Sequence, residues 1–381
     1  MVRDVIFATA INHMKRNMSD RPIILVGGGT GGHIFPLIAI GEELQAQGKP
    51  FIFVGGKHGN EQKIVEKLGW QFVGIEAGKW RRYFSLSSAL QNIGDGVRVI
   101  IGFFQAISLL RKTGASLVFS KGGYVALPFI YATKVLGRKL IVHESDAIMG
   151  LTNRLGANFA SRVLTAFSTS IYPQADGRYL QVGIPIRRAL RQATKLKSPT
   201  KDRQLILIIG GSQGSLAMNN LFKPLLAALV KQYDVVHSTG EADFEAYDRL
   251  RKALPKTDQP HYKPYAFIDR ELPYYYQAAD LIVARSSATT LAEAATFSKA
   301  LYLIPLPSSA SNHQLANARK LEAASAAIVR EQYQLNSERL RTDLAEILNN
   351  RDQLKTMGDQ LRQYFNQEES LPKIMNEITN G

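Results

Sequence analysis

Two stretches decide the fold: Ile23-Ile24-Leu25-Val26-Gly27-Gly28-Gly29-Thr30-Gly31-Gly32-His33 and Leu205-Ile206-Leu207-Ile208-Ile209-Gly210-Gly211-Ser212-Gln213-Gly214-Ser215. Each is a short apolar run that breaks into glycines and then into a helical pattern. A run that is apolar at every residue suits a strand buried on both faces, as in a parallel sheet. The glycines permit a tight turn and let a ligand approach the backbone, and the helix that follows offers free N–H groups to an anion. The junction occurs once in each half of the chain. It predicts two Rossmann-like α/β domains, each with a phosphate-friendly turn.

The rest of the chain extends this pattern. Further strand candidates are 51–54, 71–75, 117–120, 140–143, 163–165 and 179–182, then 234–238, 262–267, 281–284 and 301–304. Helical periods such as 36–47 and 291–297 lie between them. The boundary is expected near Gly183–Arg191, because 192–203 is polar, basic and interrupted by Pro199. We therefore expect an N-terminal domain over 1–186 and a C-terminal domain over 187–361, with a final helix at about 362–381 packing back on the first. Residues 351–378 read as one helix with little apolar content.

The chain has 381 residues, 45% hydrophobic and 21% charged, which is ordinary for a globular protein. It has no cysteine, which excludes disulfides and thiolate metal sites. The net charge is +15, and residues 1–187 hold 22 of the 47 Lys and Arg but only 11 of the 32 Asp and Glu. Such a basic half points to nucleic acid, an anionic membrane or a phosphate-bearing ligand, with solubility as the plainer explanation. No segment reaches the roughly 18–20 apolar residues that span a bilayer. The first 20 residues make a poor signal peptide, and 1–17 read as an upstream start or a short amphipathic arm.

Gly27, Gly29 and Gly32 fit the dinucleotide pattern G-x-G-x-x-G. That pattern requires an acidic residue at the end of the second strand, where this chain has Gly55-Gly56-Lys57. A P-loop is excluded, since no Gly-Lys-Ser/Thr follows. In the second half, Arg285-Ser286-Ser287-Ala288-Thr289-Thr290-Leu291-Ala292-Glu293 places hydroxyls at a helix start. They suit capping or ligand contact, and Glu293, one turn in, suits either a ribose or the helix dipole. Asn312-His313-Gln314-Leu315-Ala316-Asn317 offers polar side chains at another helix start, fit for sugar contacts or for capping.

In this order the motifs resemble the MurG family of N-acetylglucosaminyltransferases, glycosyltransferase family 28. The likeness rests on 28–36, Gly122-Gly123-Tyr124-Val125, His143-Glu144, Gly150-Leu151-Thr152-Asn153, Gly183 with Pro185 and Arg187, 210–214, 288–293, and Gln314 with Asn317. It implies the GT-B fold, two Rossmann-like domains with parallel sheets facing across a cleft. It also implies inverting transfer of N-acetylglucosamine from UDP-N-acetylglucosamine to undecaprenyl-pyrophosphoryl-MurNAc-pentapeptide in peptidoglycan synthesis, at the cytoplasmic face of the bacterial cell membrane. The implied substrate-binding residues are Thr30, Gly31, Gly32, Asp146, Arg187, Ser212, Gln213, Ile268, Ala288, Thr289, Thr290, Leu291, Glu293 and Gln314. Of these, Ser212 and Gln213 meet the nucleotide and its phosphates, 288–291 the diphosphate, Glu293 the ribose and Gln314 the sugar. The chain departs from the family in having Ser145-Asp146 for Gln-Asn, which bears on the donor sugar. Ile184 also replaces Asn, and Ser287 and Thr289 replace Gly and Leu.

With no Asp-x-Asp motif, we expect no metal and no cofactor; backbone N–H groups and helix N-termini stabilise the leaving diphosphate. His33, at a helix start where the dipole disfavours its protonation, is the candidate general base. The competing role for His33 is to orient a phosphate or cap the helix. His143 and Glu144 are further candidates for the base, and Asp146 is a weaker one. For the membrane, Lys79-Trp80-Arg81-Arg82-Tyr83-Phe84 and the apolar run 97–110 with Arg111-Lys112 suit docking on an anionic leaflet, the run reading equally as a core helix with solvated charged ends. No nucleic-acid motif is present. A related enzyme with another UDP-sugar or lipid acceptor, or a UDP-sugar 2-epimerase, shares the architecture; the epimerase needs no docking patch.

Overall fold

The computed structural model describes residues 21–57, 59, 61–78, 86–196, 202–211 and 213–380, with 86–93 described by backbone alone. Thirteen strands among these residues pair into two sheets, parallel throughout. The first holds β1 (Ile23–Val26), β2 (Phe51–Gly56), β3 (Phe72–Ile75), β4 (Leu117–Ser120), β5 (Lys139–Glu144), β6 (Arg162–Thr165) and β7 (Tyr179–Gln181). Their order is β3-β2-β1-β4-β5-β6-β7. The second holds β8 (Leu205–Ile209), β9 (Asp234–Ser238), β10 (Tyr262–Tyr265), β11 (Leu281–Ala284), β12 (Ala300–Leu303) and β13 (Ile328–Val329), in the order β10-β9-β8-β11-β12-β13.

Burial explains the uninterrupted apolar runs. Ile24 and Val26 of β1 join the core on one face of the first sheet, with Val118 of β4, while Leu25 joins the core on the other face, with Phe53 and Phe119. Alternate residues feed opposite layers, so every position must be apolar. In each sheet the leading strand, β1 or β8, lies where the strand order reverses. Its carboxyl end, from which the glycine turn departs, is where ligands bind in such sheets.

The chain divides into two units. One runs up to Ser145, resumes over Met149–Arg187 and takes in the chain from Glu369; the other comprises Asp146–Ile148 and Arg188–Glu368. The end of the chain differs from the single, weakly apolar helix read at 351–378. Asn366 adopts a left-handed conformation (φ +42°), which Asn tolerates better than most residues, and separates helix Arg351–Phe365 from helix Gln367–Thr379. Both are amphipathic. Leu354 and Met357 enter the second unit's core, whereas Leu371, Ile374, Met375 and Ile378 pack with Leu25 and Phe53 in the first. Among the described residues no helix is long and apolar enough to cross a membrane.

Candidate active site

In the second unit the turn after β8 relies on two left-handed glycines, Gly211 (φ +98°) and Gly214 (φ +76°). A Cβ on Gly214 would lie 2.1 Å from the Thr239 carbonyl oxygen, so this position must be glycine for the turn to close against the end of β9. The turn borders a cavity of about 470 Å3, whose lining includes Gly210, Ser215, Arg285, Ser287, Gln314 and Gln332. Ser287 caps helix Ala288–Thr296, its Oγ accepting from the Thr290 amide. The first-turn N–H groups of this helix are what an anion would use.

The residues singled out in the second unit differ in burial and bonding. Ala288, Leu291 and Ile268 are buried, and the Leu291 amide already donates to the Ser287 carbonyl at 3.1 Å. Gln213 is exposed on the turn, while Ser212 lies outside the described residues. Thr290 is tied to the cap, and the Thr289 hydroxyl is buried without a hydrogen-bond partner among the described residues. Glu293 is buried, and its Oε2 accepts from the Tyr276 hydroxyl at 2.9 Å. Gln314 uses its carbonyl oxygen to accept from the Leu306 amide at 3.0 Å, which turns its NH2 group into the available donor on the cavity wall. Asp146 accepts from the Asn317 carboxamide at 2.8 Å.

In the first unit the helix begins at Gly31, five residues before Pro36. Gly31 and Gly32, read as turn, form its first helical positions, and Pro36 lies inside the helix, where it lacks the N–H that would bond the Gly32 carbonyl. Thr30 is the N-cap residue, and its hydroxyl lies 3.0 Å from His33 Nδ1. His33 is only part-buried. Arg187 places its guanidinium over the Phe35 ring, 4.5 Å from the centroid.

His143 and Glu144 are placed differently. His143 is wholly buried and donates through Nε2 to the Gly183 carbonyl at 2.8 Å. Burial, helped by the charge of Lys121, holds its imidazole well below the ordinary histidine range. Glu144 is buried and accepts from the Gly150 amide and the Asn153 side chain, both at 2.9 Å. Both side chains are buried and bonded to neighbouring segments of the chain. Ser215 and Arg285, each quoted above within a motif, meet only when β8 and β11 lie side by side, and no local signal marks them as a pair. Among the described residues no group of three His, Asp or Glu could hold a metal.

Helix Leu86–Thr113 carries an outward stripe of Val97, Ile100, Ile101 and Phe104, the last 63% exposed. Arg98, Arg111 and Lys112 are exposed on the same helix. Phe103, beside Phe104 in the run 97–110, packs against the core instead. The cluster at 79–84 lies outside the described residues.

Two parallel sheets, each led by a glycine turn, form the GT-B architecture of nucleotide-sugar glycosyltransferases. Residues 23–165 match the glycosyltransferase family 28 N-terminal domain and residues 205–378 its C-terminal domain. The UDP-N-acetylglucosamine--N-acetylmuramyl-(pentapeptide) pyrophosphoryl-undecaprenol N-acetylglucosamine transferase of Clostridium botulinum strain 657 is 32% identical over 87% of this chain and 92% of its own. The protein of that name from Lachnoclostridium phytofermentans is 33% identical over 86% and 91%. The crystal structure of Acinetobacter baumannii MurG superposes with a TM-score of 0.72 at 26% identity, covering 95% of this chain and 100% of that one. The chain belongs to the MurG family, within glycosyltransferase family 28.

Proposed function

We propose that this protein transfers N-acetylglucosamine from UDP-N-acetylglucosamine to lipid-linked N-acetylmuramyl-pentapeptide, converting lipid I to lipid II. The observation that carries the reading is the cavity in the second unit, where the glycine turn, the start of helix Ala288–Thr296 and the Gln314 amide converge in a chain of this family. The acceptor hydroxyl attacks the anomeric carbon, the bond from that carbon to the diphosphate oxygen breaks, and UDP leaves with inverted configuration at the sugar. His33 takes the hydroxyl proton. Backbone N–H groups receive the charge that develops on the diphosphate, without a metal. The first unit serves the acceptor and the second most of the donor. Arg187 and Asp146 belong to the donor set, the latter with the sugar.

The acceptor's lipid keeps its sugar at a bilayer surface. The stripe Val97–Phe104 with Arg98, Arg111 and Lys112 is the docking face on an anionic leaflet, and the enzyme works peripherally on the cytoplasmic side. The test is transfer of labelled sugar from a panel of UDP-sugars to a short-chain analogue of the muramyl lipid. Product with UDP-N-acetylglucosamine alone supports the reading. Epimerised UDP-sugar released without acceptor would replace it with the epimerase alternative.

A further inference from the structure

Arg285 is only 4% exposed, yet all of its side-chain bonds run to neutral groups. Nη1 donates to the carbonyls of Ile304 (2.9 Å) and Pro305 (3.2 Å), Nη2 to Ser215 Oγ (2.7 Å) and Gln332 Oε1 (2.8 Å), and Nε to Ser215 Oγ (3.2 Å). These five bonds use all five N–H donors of the guanidinium. Among the described residues no carboxylate pairs with it. A buried cation without a counter-ion is costly, and such a cost is tolerated where a ligand brings the opposite charge. Arg285 and Ser215 both line the 470 Å3 cavity.

The bonding at Ser215 shows how that charge is delivered. Its Oγ accepts twice from Arg285 and again, more weakly, from the Met218 amide at 3.4 Å. The lone pairs of the hydroxyl are thereby occupied, so Ser215 can only donate. Among the described residues nothing accepts its proton.

We infer that the Ser215 hydroxyl, fixed as a donor by Arg285, binds a phosphate oxygen of a nucleoside diphosphate in this cavity. Ser215 is then a ligand-binding residue and Arg285 a positioning residue that acts through it. The inference rests on the donor reading above and adds to it a charge relay made by side chains rather than by the backbone. It also accounts for the Gln332 contact, which holds the far edge of the guanidinium in plane.

Calorimetric titration of the full-length protein with UDP and with uridine tests this, using Ser215→Ala and Ser215→Thr. Loss of one hydrogen bond to a charged oxygen should weaken UDP binding roughly tenfold in Ser215→Ala. Uridine, which has no phosphate, should bind that variant as it binds the parent protein, and Ser215→Thr should keep UDP affinity. UDP affinity unchanged in a folded Ser215→Ala protein would overturn the inference. So would equal losses for UDP and uridine, which would reduce Ser215 to a helix cap. Parent protein that binds no UDP would defeat the donor reading itself.

Discussion

Asn317 clasps the second unit's segment Asp146–Ile148 by both ends of its carboxamide: Nδ2 donates to Asp146 Oδ1 at 2.8 Å and Oδ1 accepts from the Ala147 amide at 2.7 Å. Nδ2 also reaches the Ser286 carbonyl at 3.2 Å. Asn317 is fully buried, so these bonds are shielded from water. Asn317→Ala should cost about 1–3 kcal/mol, since it strips partners from buried polar groups. Denaturant unfolding would measure this. A ΔΔG near zero would mean that water replaces the carboxamide.

Glu293 tests the donor site from the other side. It is buried with one oxygen engaged by Tyr276. If it holds the ribose, Glu293→Gln should weaken UDP binding by about 1–3 kcal/mol while the melt stays close to normal. Unchanged affinity in a folded variant would remove the ribose assignment.

His33→Ala should lower kcat with little change in UDP affinity, because the proton is transferred only in the transition state. Parallel losses of UDP affinity and kcat/KM would instead assign His33 to positioning a phosphate. The same assays run in EDTA should show full turnover. Activity lost there and restored by magnesium would overturn the metal-free mechanism.

Acid stability should follow His237. It is fully buried, and Asn219 fixes its tautomer. Asn219 donates to the Thr239 carbonyl (2.8 Å) and Asp243 (2.7 Å), so its Oδ1 accepts from His237 Nε2 at 3.0 Å. Nδ1 then accepts from the Tyr262 hydroxyl at 3.1 Å, leaving no site for a second proton. Burial pushes the imidazole down to about 3. The unfolded chain takes up this proton near 6.5 and the native state does not, so the contribution is complete above that pH. It is lost as pH falls from about 6.5 towards 3, by up to ~1.4 kcal/mol per unit. His143, shifted in the same direction by burial, adds to the slope. His237→Gln should give a shallower acid limb in a plot of unfolding free energy against pH. An unchanged slope would place the acid sensitivity elsewhere.

Much of this was legible in the sequence because parallel strands buried on both faces leave continuous apolar runs. β1, β4, β8, β9 and β11 have the limits read from the sequence. β13 was not read, since two residues on a sheet edge leave no pattern. The break at Asn366 was missed because one residue's φ decides it, and the two apolar stripes on either side blur when read as one helix. The glycine turns announced themselves locally. The Ser215–Arg285 and Asp146–Asn317 bonds span 70 and 171 positions, a separation no local pattern reveals.

The docking face gives the last prediction, and the structure sharpens it by separating two adjacent phenylalanines. Phe104 and Ile100 are 63% and 59% exposed, whereas Phe103 packs against the first unit's core. Ile100→Ser with Phe104→Ser should therefore leave the thermal melt near normal and weaken binding to anionic vesicles. Each side chain withdrawn from the bilayer forfeits on the order of 1–3 kcal/mol of apolar burial. Arg98→Gln with Lys112→Gln should weaken binding to anionic but not neutral vesicles, by roughly 1 kcal/mol for each well-placed cation, and added salt should mimic that loss. Phe103→Ser should show the reverse pattern: a lowered melt, at most the about 3–5 kcal/mol of a fully buried Phe, with vesicle binding of the folded fraction retained. Sedimentation with vesicles and a thermal melt on the same three variants separate these outcomes. Full vesicle binding by the Ile100, Phe104 variant with a normal melt would reject this helix face as the route to a lipid-borne acceptor.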